Sequence, residues 1–175
     1  MFCELSQYVQ AEALKYIVES FRRRKGETSG ILLWNMIDGW PQFSEALVDY
    51  YFVPKLAYFG VQRAYRPLTA IAIADKNRLE LVIVNDSRQR KKGHLKVSNI
   101  ETNEILWNMP FDAAANDRLE CGNISVQPGQ HCFCLEWRES NADQADRNYV
   151  ITGEPPYNYQ RYRSWVDQFF VDSQI

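Results

Sequence analysis

The sequence predicts a mainly β protein, an antiparallel β-sandwich preceded by a helix-strand-helix piece of the kind that a (β/α)8 barrel repeats. Three observations carry this. The first part of the chain has a helical period followed by a short, continuous apolar run. Arg66-Pro67 then breaks the helical pattern, because the residue before a proline is pushed out of helical geometry. Beyond it, seven short segments of strand character alternate with polar breaks.

Taken in order, residues 5–25 form the first helix. Leu5, Tyr8, Val9, Ala13, Tyr16, Ile17 and Phe21 recur at spacings of three and four and place an apolar stripe on one face. Arg22-Arg23-Arg24-Lys25 suits the negative end of the helix dipole, and Gly26 is a natural stop. Thr28-Ser29-Gly30 leads into Ile31-Leu32-Leu33-Trp34, which is too short for a helix and suited to a strand buried on both faces. The next helix runs from about Pro54 to Tyr65, with proline in its first turn and Leu56, Phe59, Gly60 and Ala64 on the buried side.

The strands of the sandwich are expected at Leu68 to Ala74, Leu79 to Val84, Gly93 to Ile100, Glu104 to Met109, Arg118 to Val126, His131 to Arg138 and Arg147 to Thr152. Asp75-Lys76-Asn77, Asn85-Asp86-Ser87 and Pro128-Gly129 supply turns between them. After Gly153 the chain turns irregular and ends in a short helix around Tyr162 to Phe170. The expected organisation is therefore 1–67 for the helix-strand-helix segment, 68–152 for the sandwich and 153–175 for the tail.

Composition excludes some functions. Lys and Arg total 20 against 22 for Asp and Glu, a net charge of -2 that offers no field for nucleic acid or an anionic membrane. No apolar run approaches the ~18 residues of a membrane helix. Hydrophobic residues make up 46% and aromatics 14%, enough for a packed core. Cys3, Cys121, Cys132 and Cys134 form no disulfide framework and lack the paired short spacings of a zinc site, so no metal and no cofactor is expected. Alternation sets Cys132 and Cys134 on one strand face, expected inward as small apolar groups. Asn85-Asp86-Ser87 and Asn123-Ile124-Ser125 match the N-glycosylation pattern, which matters only in a glycosylating secretory pathway. Localisation is not legible. With only His94 and His131 in the chain, triad-type nucleophilic catalysis has no support either.

Gly30, Trp34, Asp38, Trp40-Pro41, Asp49-Tyr50-Tyr51, Pro54-Lys55, Ala57-Tyr58 and Arg66-Pro67-Leu68 together resemble the end of the catalytic barrel in glycoside hydrolase family 2, the β-mannosidases, β-galactosidases and exo-β-glucosaminidases. The resemblance runs from Gly30 to Leu68 and departs at Ile37, where many members carry Asn. It implies that this stretch is strand eight and helix eight of the barrel, that the following sandwich is immunoglobulin-like, and that the chain is the carboxyl-terminal portion of a retaining exo-β-glycosidase. The acid/base and the nucleophile of that family sit at the ends of strands four and seven, so no catalytic residue is assigned in this chain, which is expected to be inactive alone. A β-linked sugar would be the substrate of the full-length parent.

The substrate-facing candidates are Trp34, Asn35 and Asp38. In barrel enzymes the carboxyl ends of strands carry the ligand contacts. An indole is a flat apolar plate with one donor, suited to the C–H face of a sugar ring, although a core tryptophan at a barrel end has the same sequence appearance. Asn35 and Asp38 either bond sugar hydroxyls or order the loop. The cluster Tyr149, Tyr157, Tyr159, Arg161, Tyr162, Arg163 and Trp165 suits docking of the tail, with a carbohydrate-binding surface as the alternative. The competing reading of the whole chain is a noncatalytic carbohydrate- or protein-binding sandwich module. A lone barrel segment exposes apolar faces, so residues 1–65 are expected to meet the remainder of the barrel or a second copy.

Overall fold

A computed structural model describes residues 2–170. Two compact units emerge: residues 2–66 together with Phe170, and Pro67–Phe169.

In the first unit α1 (Phe2–Arg22) packs on α2 (Leu56–Ala64). The buried face of α2 is small, with Ala57, Gly60, Val61 and Ala64 inward, so the two backbones approach closely. A Cβ on Gly60 would stand 3.6 Å from the Ala11 carbonyl oxygen. The buried side of α1 is Ala11, Lys15, Val18, Glu19 and Arg22, not the expected apolar stripe. Lys15 and Glu19 form a 2.9 Å ion pair, one turn apart. The Arg22 guanidinium donates to the Ala64 and Arg66 carbonyls, satisfying the end of α2. Charge on this face works because each group finds a partner. Much of the stripe is exposed instead, with Val9 69% and Tyr16 63% open, while Leu5, Tyr8 and Phe21 are half-buried.

Between the helices lies the largest departure from expectation. Ile31 to Trp34 forms no strand, and Leu32 is 98% exposed. A strand buried on both faces needs hydrogen-bonding neighbours along both edges, and none of the described strands pairs with this segment. Residues 35–55 form an irregular but bonded loop, described below.

The second unit is the sandwich. Its strands are β1 (Leu68–Asp75), β2 (Arg78–Asn85), β3 (Lys91–Asn99), β4 (Ile105–Ala113), β5 (Asp117–Ser125), β6 (Cys132–Glu139) and β7 (Asp146–Ile151). All seven expected segments are strands. They form two antiparallel sheets, β1-β2-β5 and β4-β3-β6-β7. Alternate residues from both sheets fill the interior, among them Ala70, Leu81 and Ile83 from one and Leu95, Val97, Phe111, Leu135 and Trp137 from the other. Gly93 is fixed by space, since a Cβ there would sit 2.1 Å from the Arg138 carbonyl oxygen and 2.7 Å from the Phe111 ring.

Parity also corrects the cysteines. Phe133, Leu135 and Trp137 take the interior, so Cys132 and Cys134 share the opposite face of β6, where they are nonetheless buried. Tyr149 lies across from Cys134 and its ring is 4.6 Å from that of Phe169 in the tail. Burial pushes the Cys134 thiol up, and that of Cys121 to about 11.

The tail forms α3 (Tyr159–Val166) and a 3-10 turn (Asp167–Phe169). Asn158 caps α3 by accepting from the Arg161 amide at 3.0 Å. Arg161 makes two 2.8 Å bonds to the Glu101 carboxylate and lies over the buried Trp165 indole at 4.7 Å. That bidentate contact holds the Glu101 carboxyl down at about 2. Tyr157 donates to the Gly153 carbonyl at 2.6 Å. The tail's Arg and aromatic side chains are thus engaged in docking. Of the two glycosylation patterns, Asn123 is exposed on β5, whereas the Asn85 amide is buried and donates to the Gln89 and Ala114 carbonyls at 2.8 Å each.

Candidate functional site

The residues from Trp34 to Lys55 have little regular structure, yet a closed set of bonds orders them. Three backbone bonds tie residues 35–38 to Leu47 and Val48: Leu47 N to Asn35 O at 3.4 Å, Val48 N to Met36 O at 2.9 Å and Asp38 N to Val48 O at 3.0 Å. Ala46, Leu47 and Val48 are buried beneath this short ladder. Lys55 N closes the frame by donating to Leu47 O at 2.9 Å. α1 holds the loop from its own side, with Gln10 Nε2 donating to Glu45 O at 2.8 Å and Gln7 Oε1 accepting from the first amide of α2.

Asp38 is at the centre of the frame. Its side chain is 1% exposed, with Lys55 Nζ 2.9 Å from Oδ2, and Oδ1 accepting from Gln42 Nε2 at 3.3 Å and from Ser44 Oγ. Lys55 Nζ also donates to Ser44 O at 3.2 Å. The Lys55 ammonium first, then the Ser44 hydroxyl, holds the Asp38 carboxyl below the usual carboxylate range. Both carboxylate oxygens of Asp38 are thus engaged within the loop. Asp49 is spent similarly, with Oδ1 accepting from the Tyr51 and Val53 amides at 2.8 and 2.9 Å. That turn carries Phe52 at a φ of 65°.

Trp34 is the opposite case. Its side chain is 82% exposed at the start of the frame. Asn35 follows, half-buried, with its Oδ1 itself buried and lacking a hydrogen-bond partner. Trp40, Phe43, Tyr51 and Phe52 are also exposed around the loop. The site therefore has a polar interior centred on the Asp38–Lys55 ion pair and an aromatic exterior. Sequence reasoning missed Gln42 and Ser44 altogether and did not pair Lys55 with Asp38. The spacing of Asp38 and Lys55, seventeen residues with no regular element between them, gives no periodic signal that could have paired them.

No protein-family profile matches the chain. Among curated proteins it is similar to β-mannosidase B of Emericella nidulans, 39% identical over 71 residues, and of Neosartorya fischeri, 27% identical over 141 residues. These matches take in 39% and 71% of the chain but only 8% and 16% of the two proteins. Among solved structures, the β-D-mannosidase of Dictyoglomus thermophilum superposes with a TM-score of 0.74 at 26% identity over 85% of the chain. These similarities indicate a fragment like those of glycoside hydrolase family 2 β-glycosidases. The chain spans 19% of that mannosidase. The exo-chitosanase CsxA of Amycolatopsis orientalis shares the fold, with a TM-score of 0.66 at 18% identity over 86% of the chain.

Proposed function

We propose that the chain is the carboxyl-terminal portion of a retaining exo-β-glycosidase acting on β-mannosides, with Trp34 and Asn35 contributing to the sugar pocket and the sandwich serving as structural support. The observation that carries the proposal is the exposed Trp34 at the head of a loop braced from within by Asp38 and Lys55. Similarity to β-mannosidases supports the sugar class. The retaining reaction needs one carboxyl group to protonate the leaving oxygen and a second, about 5–5.5 Å away, to attack the anomeric carbon. Asp38 is a committed anion inside an ion pair, unfit to hold a proton for transfer, and Asp49 spends an oxygen on two backbone amides. In this reading the two catalytic carboxylates belong to the rest of the parent enzyme, and this chain alone turns nothing over. That remainder is also the partner for the exposed apolar faces of residues 2–65.

Hydrolysis of a panel of nitrophenyl β-glycosides, with tryptophan fluorescence recorded beside it, tests this. The expected result is no turnover. Release of nitrophenol that survives repurification and the double variant D38N/D49N would place catalytic carboxylates elsewhere in these residues and overturn the proposal. Saturable quenching by mannose that persists in W34F would shift the reading to a carbohydrate-binding module with its site on the sandwich.

A further inference from the structure

We infer that Asp38 is a positioning residue: acting through Lys55 and Ser44, it sets the turn that presents Trp34 and Asn35. This rests on the assignment of those two residues to the sugar pocket.

The bonds form a circuit. Asp38 grips residue 44 through the Ser44 hydroxyl and residue 55 through the Lys55 ammonium. Lys55 in turn holds Leu47 through its backbone amide and Ser44 O through its side chain. Leu47 and Val48 then fix Asn35, Met36 and Asp38 by the three-bond ladder. Residues 35–55 belong to no helix or strand, and their backbone pairing is limited to isolated bridges, Ile37 with Val48 and Val48 with Pro54. A buried anion with an ammonium partner and two further donors is the one strong polar centre of this loop, and such groups specify a single arrangement when every oxygen is satisfied. Trp34 itself, 82% exposed, has little packing of its own to orient it. Its geometry is inherited from the frame.

The test uses the whole chain and two-dimensional NMR of the Trp34 indole N–H and the Asn35 side-chain amide, with W34F and N35A assigning the signals. In the wild type both signals should move together on acidification, with one inflection below the ordinary Asp value. In D38N the neutral-pH positions should change and the inflection should vanish. K55M should carry the inflection upward toward the ordinary value, and K55R should bring it back, a rescue that simple loss of packing would not show. Amide signals of Val97 and Leu135 in the same spectra report that the sandwich stays folded, and S44A gives a milder variant should D38N unfold the loop. Signals of Trp34 and Asn35 that ignore pH and stay in place in D38N would overturn the inference. Glycoside turnover by the chain would overturn the functional reading while leaving these signals as expected, so the two failures are separable.

Discussion

The two units of this chain solve opposite problems. The sandwich pairs its own strands and hides its own apolar residues, leaving only Ile105 and Met109 as large apolar side chains in the open. Residues 2–65 hold the other fifteen of the seventeen such side chains exposed among the described residues, from Phe2 to Tyr65. Their buried interior is meanwhile built from small residues and matched charges, Ala11 against Gly60 and Lys15 against Glu19. Local hydrogen bonding is thus enough to order a segment that has not covered its apolar surface. Large exposed apolar patches mark interaction surfaces, which agrees with the proposal that the remainder of a parent enzyme covers this one.

The comparison breaks first if the sandwich is not self-sufficient. Trp137→Ala should cost about 3–5 kcal/mol, because it empties a fully buried site in the interior between the sheets. Denaturant unfolding followed by far-ultraviolet circular dichroism measures this, and a loss below about 1 kcal/mol would mean that the interior is loosely packed. Gly93→Ala should cost about 3 kcal/mol for the reverse reason, since the new methyl meets the Arg138 carbonyl and the Phe111 ring with nowhere to go. An unchanged denaturation midpoint for that variant would show that β3 and β6 can separate at this point.

A smaller effect is expected where the tail docks. Arg161→Ala removes the two bonds to Glu101 and the cover over Trp165. The pair is partly exposed, so the loss should be about 1 kcal/mol or less. Its pH dependence has a definite sign. The folded Glu101 carboxyl lies at about 2 against 4.5 ordinarily, so its contribution is present above the ordinary value and fades as pH falls toward the lower one. Wild type and Arg161→Ala should therefore converge in stability between those limits when thermal unfolding is followed across acid pH. Curves that stay parallel would assign the effect of Arg161 to packing on Trp165 alone.

The two units also differed in what their sequences disclosed. In the sandwich the alternation that marks a strand is the same alternation that fills the interior, so Leu79 to Val84 and the segment around Trp137 announced both element and burial. Even there, parity did not say which face was inward, and the cysteines of β6 fell on the side beneath Tyr149. In the first unit the apolar pattern was a poor guide. The stripe of α1 was correct as a helix signal and wrong as a contact signal, because what α2 presents is a row of small residues that admits Ala11 and Arg22. Ile31 to Trp34 carries the pattern of a buried strand without the neighbours that make one. Trp34 was legible as a candidate because a motif pointed to it, while Ser44 and Gln42 were invisible, since pairing through a loop leaves no period to read.

The smallest effect on stability should come from the most exposed part of α1. Val9→Ser and Tyr16→Ser replace side chains that are 69% and 63% open, and surface changes of this kind lie within about 0.5 kcal/mol. Their effect should appear instead in association. If the outward stripe is the face that the rest of a parent enzyme covers, the isolated chain has an uncompensated apolar surface, and light scattering of the wild type should show concentration-dependent growth that the double variant lacks. Cys3, exposed near the start of α1, supplies a local reporter, because its reaction with a maleimide should slow as the wild type associates and stay fast in the variant. A wild type that remains monomeric with Cys3 freely reactive at every concentration would separate exposure from stickiness. The contrast between the two units would then be one of shape alone, and the apolar stripe of α1 would need no partner to explain it.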